Sequence, residues 1–217
     1  MENLSLRKMM HFVFEKIKDN LGLFAATMVV ESVIIGVCGI LAIFIAMPFL
    51  FLFRYNTWLL ALTIFALFCA LIYIISFVNC GINRVSLDVY DSGTSSFERF
   101  LEFTSNLVAN YILVSFLYLI IVGTGLILLI IPGIFFATRL TLSGVILVDK
   151  KTTAVAALQE SYRITRTHEL KILGAICIVL LIGMVPAIGN LLMPIMGSLC
   201  NVYIYRTLSG EKEKIDG

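Results

Sequence analysis

Residues 129–168, LIIPGIFFATRLTLSGVILVDKKTTAVAALQESYRITRTH, decide how the rest of the chain is read. An apolar run is punctuated by Pro132-Gly133, continues past a single Arg139, and ends at Asp149-Lys150-Lys151. The part from about Ile134 to Val148 predicts a short helix that is apolar except for that one cation. Residues 153–167 then place apolar side chains at helical spacing, with Arg163 and Arg166 between them, which predicts an amphipathic surface helix. Proline disfavours helix in the residue before it, and no charge lies between the runs flanking Pro132-Gly133. The pair therefore predicts a tight turn at the far side of a membrane.

Composition extends this reading to the whole chain. Of 217 residues, 60% are hydrophobic and only 14% charged, and the mean hydropathy is +1.01. Ordinary soluble domains carry about 25% charged residues, so the bilayer is the solvent for most of this one. At about 20 residues per span the length suffices for six spans with short connections. The five cysteines (Cys38, Cys69, Cys80, Cys177, Cys200) are odd in number, lie in or beside apolar runs and form no C-x-x-C pair, which reads as reduced packing residues. The first apolar run is far longer than a signal h-region and is preceded by mixed acids and bases, so no cleaved signal is expected.

Outward from the central stretch, residues 1–20 hold a basic amphipathic helix, with Leu6, Met9, Met10, Val13 and Ile17 at helical spacing and Arg7, Lys8, Lys16 and Lys18 interleaved. It either lies on an anionic membrane face or packs on the protein's own charged end. Leu21–Phe53 carries only Glu31 and reads as one span with an interfacial tail at Pro48, Phe49, Phe51 and Phe53. Tyr55–Asn83 gives a second span, after which Arg84, Asp88 and Asp91 mark the return to water and 91–96 a turn. A second interfacial helix is expected near 96–107, followed by a third span ending about Ile131. The run from Ile172 to Tyr205 is long enough for a hairpin of two short helices turning at Pro186, Gly189 and Asn190. Residues 209–217 read as a disordered charged tail. The expected fold is thus all-α: a polytopic membrane bundle of six spans over 21–208 with three amphipathic surface helices.

With six spans, one side receives Arg7, Lys8, Lys16, Lys18, Arg84, Arg99, Lys150, Lys151, Arg163, Arg166, Lys171, Arg206, Lys212 and Lys214, and the other only Arg54. The positive-inside rule then puts both termini in the cytoplasm. A threefold repeat is also expected. Ser5, Ser95 and Thr153 are N-cap candidates, each fifteen residues before a polar residue (Asn20, Asn110, His168) after which an apolar hairpin begins.

Glu31 and Arg139 are the two ionisable residues inside the expected spans, each very roughly 15 Å from the cytoplasmic charges. An isolated charge at that depth costs several kcal/mol. Three arrangements meet that cost: a mutual ion pair that pins the bundle, a site at Arg139 for a small anion or anionic headgroup with Glu31 orienting the guanidinium, or Arg139 snorkelling outward beside a protonated Glu31. No catalytic or metal set is visible. His11 and His168 are far apart, there is no H-E-x-x-H and no G-x-S-x-G, and the glycine pairs at 36 and 39 and at 123 and 125 suit helix packing better than a phosphate loop. No cofactor is expected. The basic helices suit phospholipid headgroups and give no reason to expect nucleic acid.

The pattern I-P-G-I at 131–134 (Pro132, Gly133), then Arg139, Asp149, A-L-x-x-S at 157–161 ending in Ser161, and Thr165 resembles bacterial multi-helix membrane proteins related to the membrane domain of glycerophosphoryl diester phosphodiesterases, together with uncharacterised six-helix proteins of the YciC-like kind. Asp149 stands where the pattern favours Glu. The resemblance covers about 129–175 and implies a membrane module of the bacterial inner membrane with a lipid-linked role. These 217 residues contain no soluble phosphodiesterase domain, so no hydrolase activity is implied.

The expectation is a non-enzymatic membrane module whose partners are membrane lipids, through anionic headgroups, or a cytoplasmic or membrane protein. One rival is a small transporter with a polar pocket at Arg139 and Glu31, which predicts a water-accessible cavity ringed by broken helices. The other is an intramembrane enzyme acting on lipids, which needs polar residues clustered at one depth.

Overall fold

The structure, a computed structural model, describes residues 5–52, 57–101, 105–185 and 188–210. Expectations on Phe53, Arg54, Pro186 and the tail beyond Gly210 lie outside these residues, as do the side chains of Pro48, Phe49, Phe51 and Asn190. The described chain is helical throughout, with ten helices and no strand.

α1 (Leu6–Asp19) turns its apolar stripe inward, burying Met9 and Val13. Phe12 lies 5.2 Å from both Tyr90 and Tyr203, so of the two expected placements α1 packs on the protein's own charged end. Asn20 closes it by donating from Nδ2 to the carbonyls of Lys16 (3.2 Å) and Gly93 (2.9 Å). α2 (Leu21–Leu52) and α3 (Thr57–Ser92) follow. α3 runs well past the expected end at Asn83, and Val85, Leu87, Val89 and Tyr90 of this extension are buried among neighbouring helices.

Of the surface helix expected over 96–107, α4 (Phe97–Leu101) is described, and residues 102–104 lie outside the described residues. Phe100 seats it fully buried against Gly81 of α3, where a Cβ would stand 2.7 Å from the ring. Ser105 to Leu107 already belong to α5 (Ser105–Leu128). The chain then reverses at Leu129, whose backbone is extended, and α6 (Ile130–Leu140) begins at the next residue. Pro132 and Gly133 are therefore not the turn itself but part of the first turn of α6. The position follows from proline chemistry: in a continuous helix the Pro132 ring would clash with the Leu128 carbonyl, whereas in a first turn its missing N–H costs nothing.

The single helix expected over 134–148 is divided. α6 stops at Leu140, Thr141 and Leu142 form a turn, and α7 (Ser143–Lys150) restarts. α8 (Ala154–Thr165) follows a left-handed Lys151 (φ 47°), and α9 (Glu169–Gly183) and α10 (Ile188–Ser209) pack as a final pair. Gly189 makes their close approach, for a Cβ there would meet the Ile182 carbonyl oxygen at 2.5 Å.

Four helical stretches are long and apolar enough to cross a membrane: Leu21–Leu41, Ala61–Ser92, Asn106–Leu128 and Ile130–Lys150, the last formed by α6 and α7 together. Their outer surfaces are apolar, with Leu21, Leu62, Phe65, Ile127 and Ile131 among the most exposed side chains, as lipid-facing residues must be. The well-packed core gathers instead toward the charged end, where α1, α8 and the adjoining ends of α3, α7, α9 and α10 meet.

Candidate functional site

Arg139 occupies the last turn of α6 and Glu169 the first turn of α9. Nε of Arg139 donates to Oε1 of Glu169 at 2.9 Å, and its NH2 group closes on the same oxygen. The guanidinium is buried between the Phe135 and Tyr162 rings, whose centroids lie 4.0 and 4.4 Å from its carbon, an arrangement that the ring quadrupoles favour. Of the three arrangements expected for Arg139, the mutual pair with Glu31 is not formed: the acid that meets it is Glu169. Glu31 stays on α2, and its Oε2 is buried without a hydrogen-bond partner among the described residues.

The carbonyl of Arg139 is engaged as well. It accepts from Ser161 Oγ at 2.7 Å, and Thr165 Oγ1 lies 3.1 Å away while also donating to the Ser161 carbonyl at 2.7 Å; both residues are buried on α8. A continuous helix would offer that carbonyl to the Ser143 amide, so two hydroxyls compete for it where α6 ends. Gly133 sits deeper, where any Cβ would overlap the Leu126 side chain and reach 2.7 Å from Leu126 N, while a Cβ on Gly125 would stand 3.0 Å from Gly133 Cα. These small residues let α5 and α6 touch backbone to backbone.

Asp149 anchors a second node. It accepts from Tyr205 OH at 2.8 Å and from both terminal nitrogens of Arg206, at 3.2 and 3.0 Å, and Arg206 also reaches Asp91 at 2.5 Å. Burial disfavours the Arg206 charge, but the hydrogen bond to Asp91 and the field of Asp149 outweigh it and hold the guanidinium pKa above its ordinary value. One cation thereby ties α3, α7 and α10 together. The six family-like positions thus serve three local tasks: Arg139, Ser161 and Thr165 in one node, Asp149 in another, and Pro132 and Gly133 at the α5–α6 reversal.

A third constellation carries no charge. Asn83 of α3 donates from Nδ2 to Tyr111 OH of α5 at 3.0 Å and accepts from Ser198 Oγ of α10 at 2.7 Å. This triad borders a cavity of about 450 Å³. Asn79 and Ser115 continue the lining on α3 and α5, Asn201 on α10, and Thr141 and Ser143 bring in the interruption between α6 and α7. A neighbouring cavity of about 380 Å³ shares Asn79, Tyr111 and Ser115 and extends to Ser76. Neither Glu31 nor Arg139 lines either space.

An ionisable group inside a span, the signal that marks Glu31 and Arg139, is absent from this set. Its signal was periodic: Ser76, Asn79 and Asn83, then Tyr111, Ser115 and Tyr118, recur at one face's spacing inside apolar runs. Glu169, Tyr162, Tyr205 and Arg206 were also missed as site partners, since each is distant in sequence from the residue it meets. Among the described residues His11 pairs with Glu15 on an exposed face, and His168 stands at the N-cap position of α9 with no side-chain capping bond. Among the described residues no three His, Cys, Asp or Glu side chains converge as metal ligands would, and Cys69, Cys80, Cys177 and Cys200 are free thiols. In comparisons with known proteins, no family model, no curated protein and no solved structure matches the chain.

Proposed function

We propose that this protein is a non-enzymatic six-span module of the bacterial inner membrane that holds anionic lipid headgroups on a rigid basic surface at its cytoplasmic end. The observation that carries the reading is the docking of α1 and α8. Their apolar sides are buried (Met9, Val13, Ala157, Leu158), which leaves Arg7, Lys8, Lys18, Arg163 and Arg166 exposed. Bases held on fixed helices beside a membrane surface attract anionic lipids by about 1 kcal/mol each. The positive-inside asymmetry supports cytoplasmic termini. The close α9–α10 pair supports a third hairpin, although α9, at 15 residues or roughly 22 Å, is short for a span. The order surface helix, then two membrane helices, occurs three times if α6 and α7 count as one, which supports a threefold repeat. Asn20 and His168 stand at the junctions this repeat requires, whereas Asn110 lies inside α5. The likeness of residues 129–175 to lipid-linked membrane modules favours the same reading.

The test is native mass spectrometry of the purified protein from mixed phosphatidylglycerol and phosphatidylethanolamine, beside a variant with Arg7, Lys8, Arg163 and Arg166 all changed to Gln. Retention of phosphatidylglycerol should fall several-fold in the variant while phosphatidylethanolamine is unaffected. Equal retention would overturn the headgroup reading and turn attention to a protein partner on the same helices.

A further inference from the structure

We propose that the cavity between α3, α5, α10 and the α6–α7 interruption binds an uncharged, sugar-sized polyhydroxyl group. Polar side chains inside apolar helices are retained against a free-energy cost, and they belong where they meet one another, water or a ligand. Here they come from four separate segments and converge on one space. Asn83 directly precedes Arg84 at the charged end, and Asn79 and Ser76 lie roughly 6 and 11 Å deeper along α3. The polar track therefore descends from the charged surface into the apolar zone.

The lining specifies the ligand's chemistry. Among the described residues no Asp, Glu, Lys, Arg or His borders either cavity, so an ion would lose its hydration without a counter-charge. Hydrogen-bonding capacity is left over in both senses. The Asn79 amide donates to the Ile75 carbonyl at 2.8 Å, and its oxygen accepts from no described residue. Tyr111 OH accepts from Asn83 and keeps its own proton to give. The Ser115 and Asn201 side chains make no hydrogen bond to any described residue. Donors and acceptors interleaved with the Val114 and Val179 side chains suit a molecule that alternates hydroxyls with C–H faces. A volume of about 450 Å³ lies within the roughly 300–1,000 Å³ of small-molecule sites.

The same group could arrive as a free sugar or as the head of a neutral glycolipid, and exposed Ser115 beside half-buried Asn79 opens the cavity sideways between α3 and α5. This inference uses none of the basic residues of the proposed headgroup surface, so either can fail alone. The experiment is titration of the full chain, in phosphatidylcholine nanodiscs, with glucose and separately with glucosyl-diacylglycerol, followed by calorimetry and native mass spectrometry. Saturable binding of the sugar identifies a free solute, and binding of the glycolipid alone identifies a lipid-borne head. Tyr111→Phe and Ser115→Ala, which remove one oxygen each and should fold, are each expected to weaken binding about three- to tenfold. Gluconate and glucosamine should bind at least tenfold more weakly than glucose if the free sugar binds. The inference is overturned if neither probe binds saturably up to about 10 mM, if both folded variants bind like the wild type, or if the charged analogues bind as well as glucose.

Discussion

The Arg139 guanidinium and the Glu169 carboxylate join the C-terminal turn of α6 to the N-terminal turn of α9. Each charge thus sits at the helix end whose dipole favours it: the cation beside unsatisfied carbonyls, the anion beside unsatisfied amides. The side chain of Arg139 is 8% exposed and that of Glu169 28%, so loss of the acid would strand a buried cation. Glu169→Gln should cost about 2 kcal/mol of stability in detergent. Arg139→Gln alone should cost a similar amount, and the double variant should fall short of the sum by at least about 1 kcal/mol. Glu31→Gln combined with Arg139→Gln should be additive. Coupling to Glu31 in place of Glu169 would contradict the Arg139–Glu169 pair.

Arg206 bridges Asp91 of α3 and Asp149 of α7 from the last turn of α10. A planar fork can satisfy both oxygens of Asp149 and one of Asp91, which a point-charge ammonium cannot. Arg206→Lys should therefore recover less than half of the stability lost in Arg206→Met, which is expected at about 2–3 kcal/mol. Unfolding midpoints in one detergent measure both. Full rescue by lysine would show that charge alone matters at this node.

Gly133 is fixed by space and not by backbone angle. Its Cβ position is already occupied by Leu126, so Gly133→Ala should force α5 and α6 apart at a cost of about 1–3 kcal/mol. Gly123, also on α5, has nothing within 4 Å of its Cβ position. Gly123→Ala should be neutral or slightly stabilising, since alanine is the better helix former. Equal losses in the two variants, read from thermal unfolding, would assign the effect to helix propensity and dismiss close packing.

What was legible in the sequence was whatever depended on local periodicity. The all-helical class, the apolar stretches, the amphipathic α1 and α8 and the return to charge at Asp149-Lys150 follow from spacing alone. Depth along a helix does not reveal a partner. Counting ten residues from Asp149 sets Arg139 midway along Ile130–Lys150, but the acid it meets, Glu169, lies thirty residues away in sequence. The α6–α7 break has no proline or glycine to announce it; it coincides with hydroxyls from α8, which sequence separation hides. The uncharged polar stripes were visible as spacing, yet individual Asn and Ser residues are common enough in helices that only their convergence gives them weight.

The orientation has its own check. With native cysteines replaced, a single cysteine at position 54 should react with an impermeant maleimide in intact cells, and one at the exposed Gln159 of α8 should react only after lysis. The reverse pattern would invert the protein and move the basic surface to the outer leaflet.

The α6–α7 interruption offers a more local prediction. Ser161 Oγ donates to the Arg139 carbonyl, and Thr165 Oγ1 shares its proton between that carbonyl at 3.1 Å and the Ser161 carbonyl at 2.7 Å; Leu140 and Thr138 sit nearby with their own hydroxyl-bonded turns, Ser143 Oγ donating to the Leu140 carbonyl at 2.7 Å and Thr138 Oγ1 to the Phe135 carbonyl at 2.8 Å. If the α8 hydroxyls hold the helix open, Ser161→Ala with Thr165→Val returns the Arg139 carbonyl to the Ser143 amide. Loss of two buried hydrogen bonds should lower stability by about 1–3 kcal/mol, while hydrogen exchange at the Ser143 amide slows several-fold as α6 extends toward α7. The two readouts move in opposite directions, which simple loosening of the site cannot produce. Faster exchange at Ser143 together with lower stability would mean that the hydroxyls merely decorate a break whose cause lies in the packing of Leu142, fully buried at the turn.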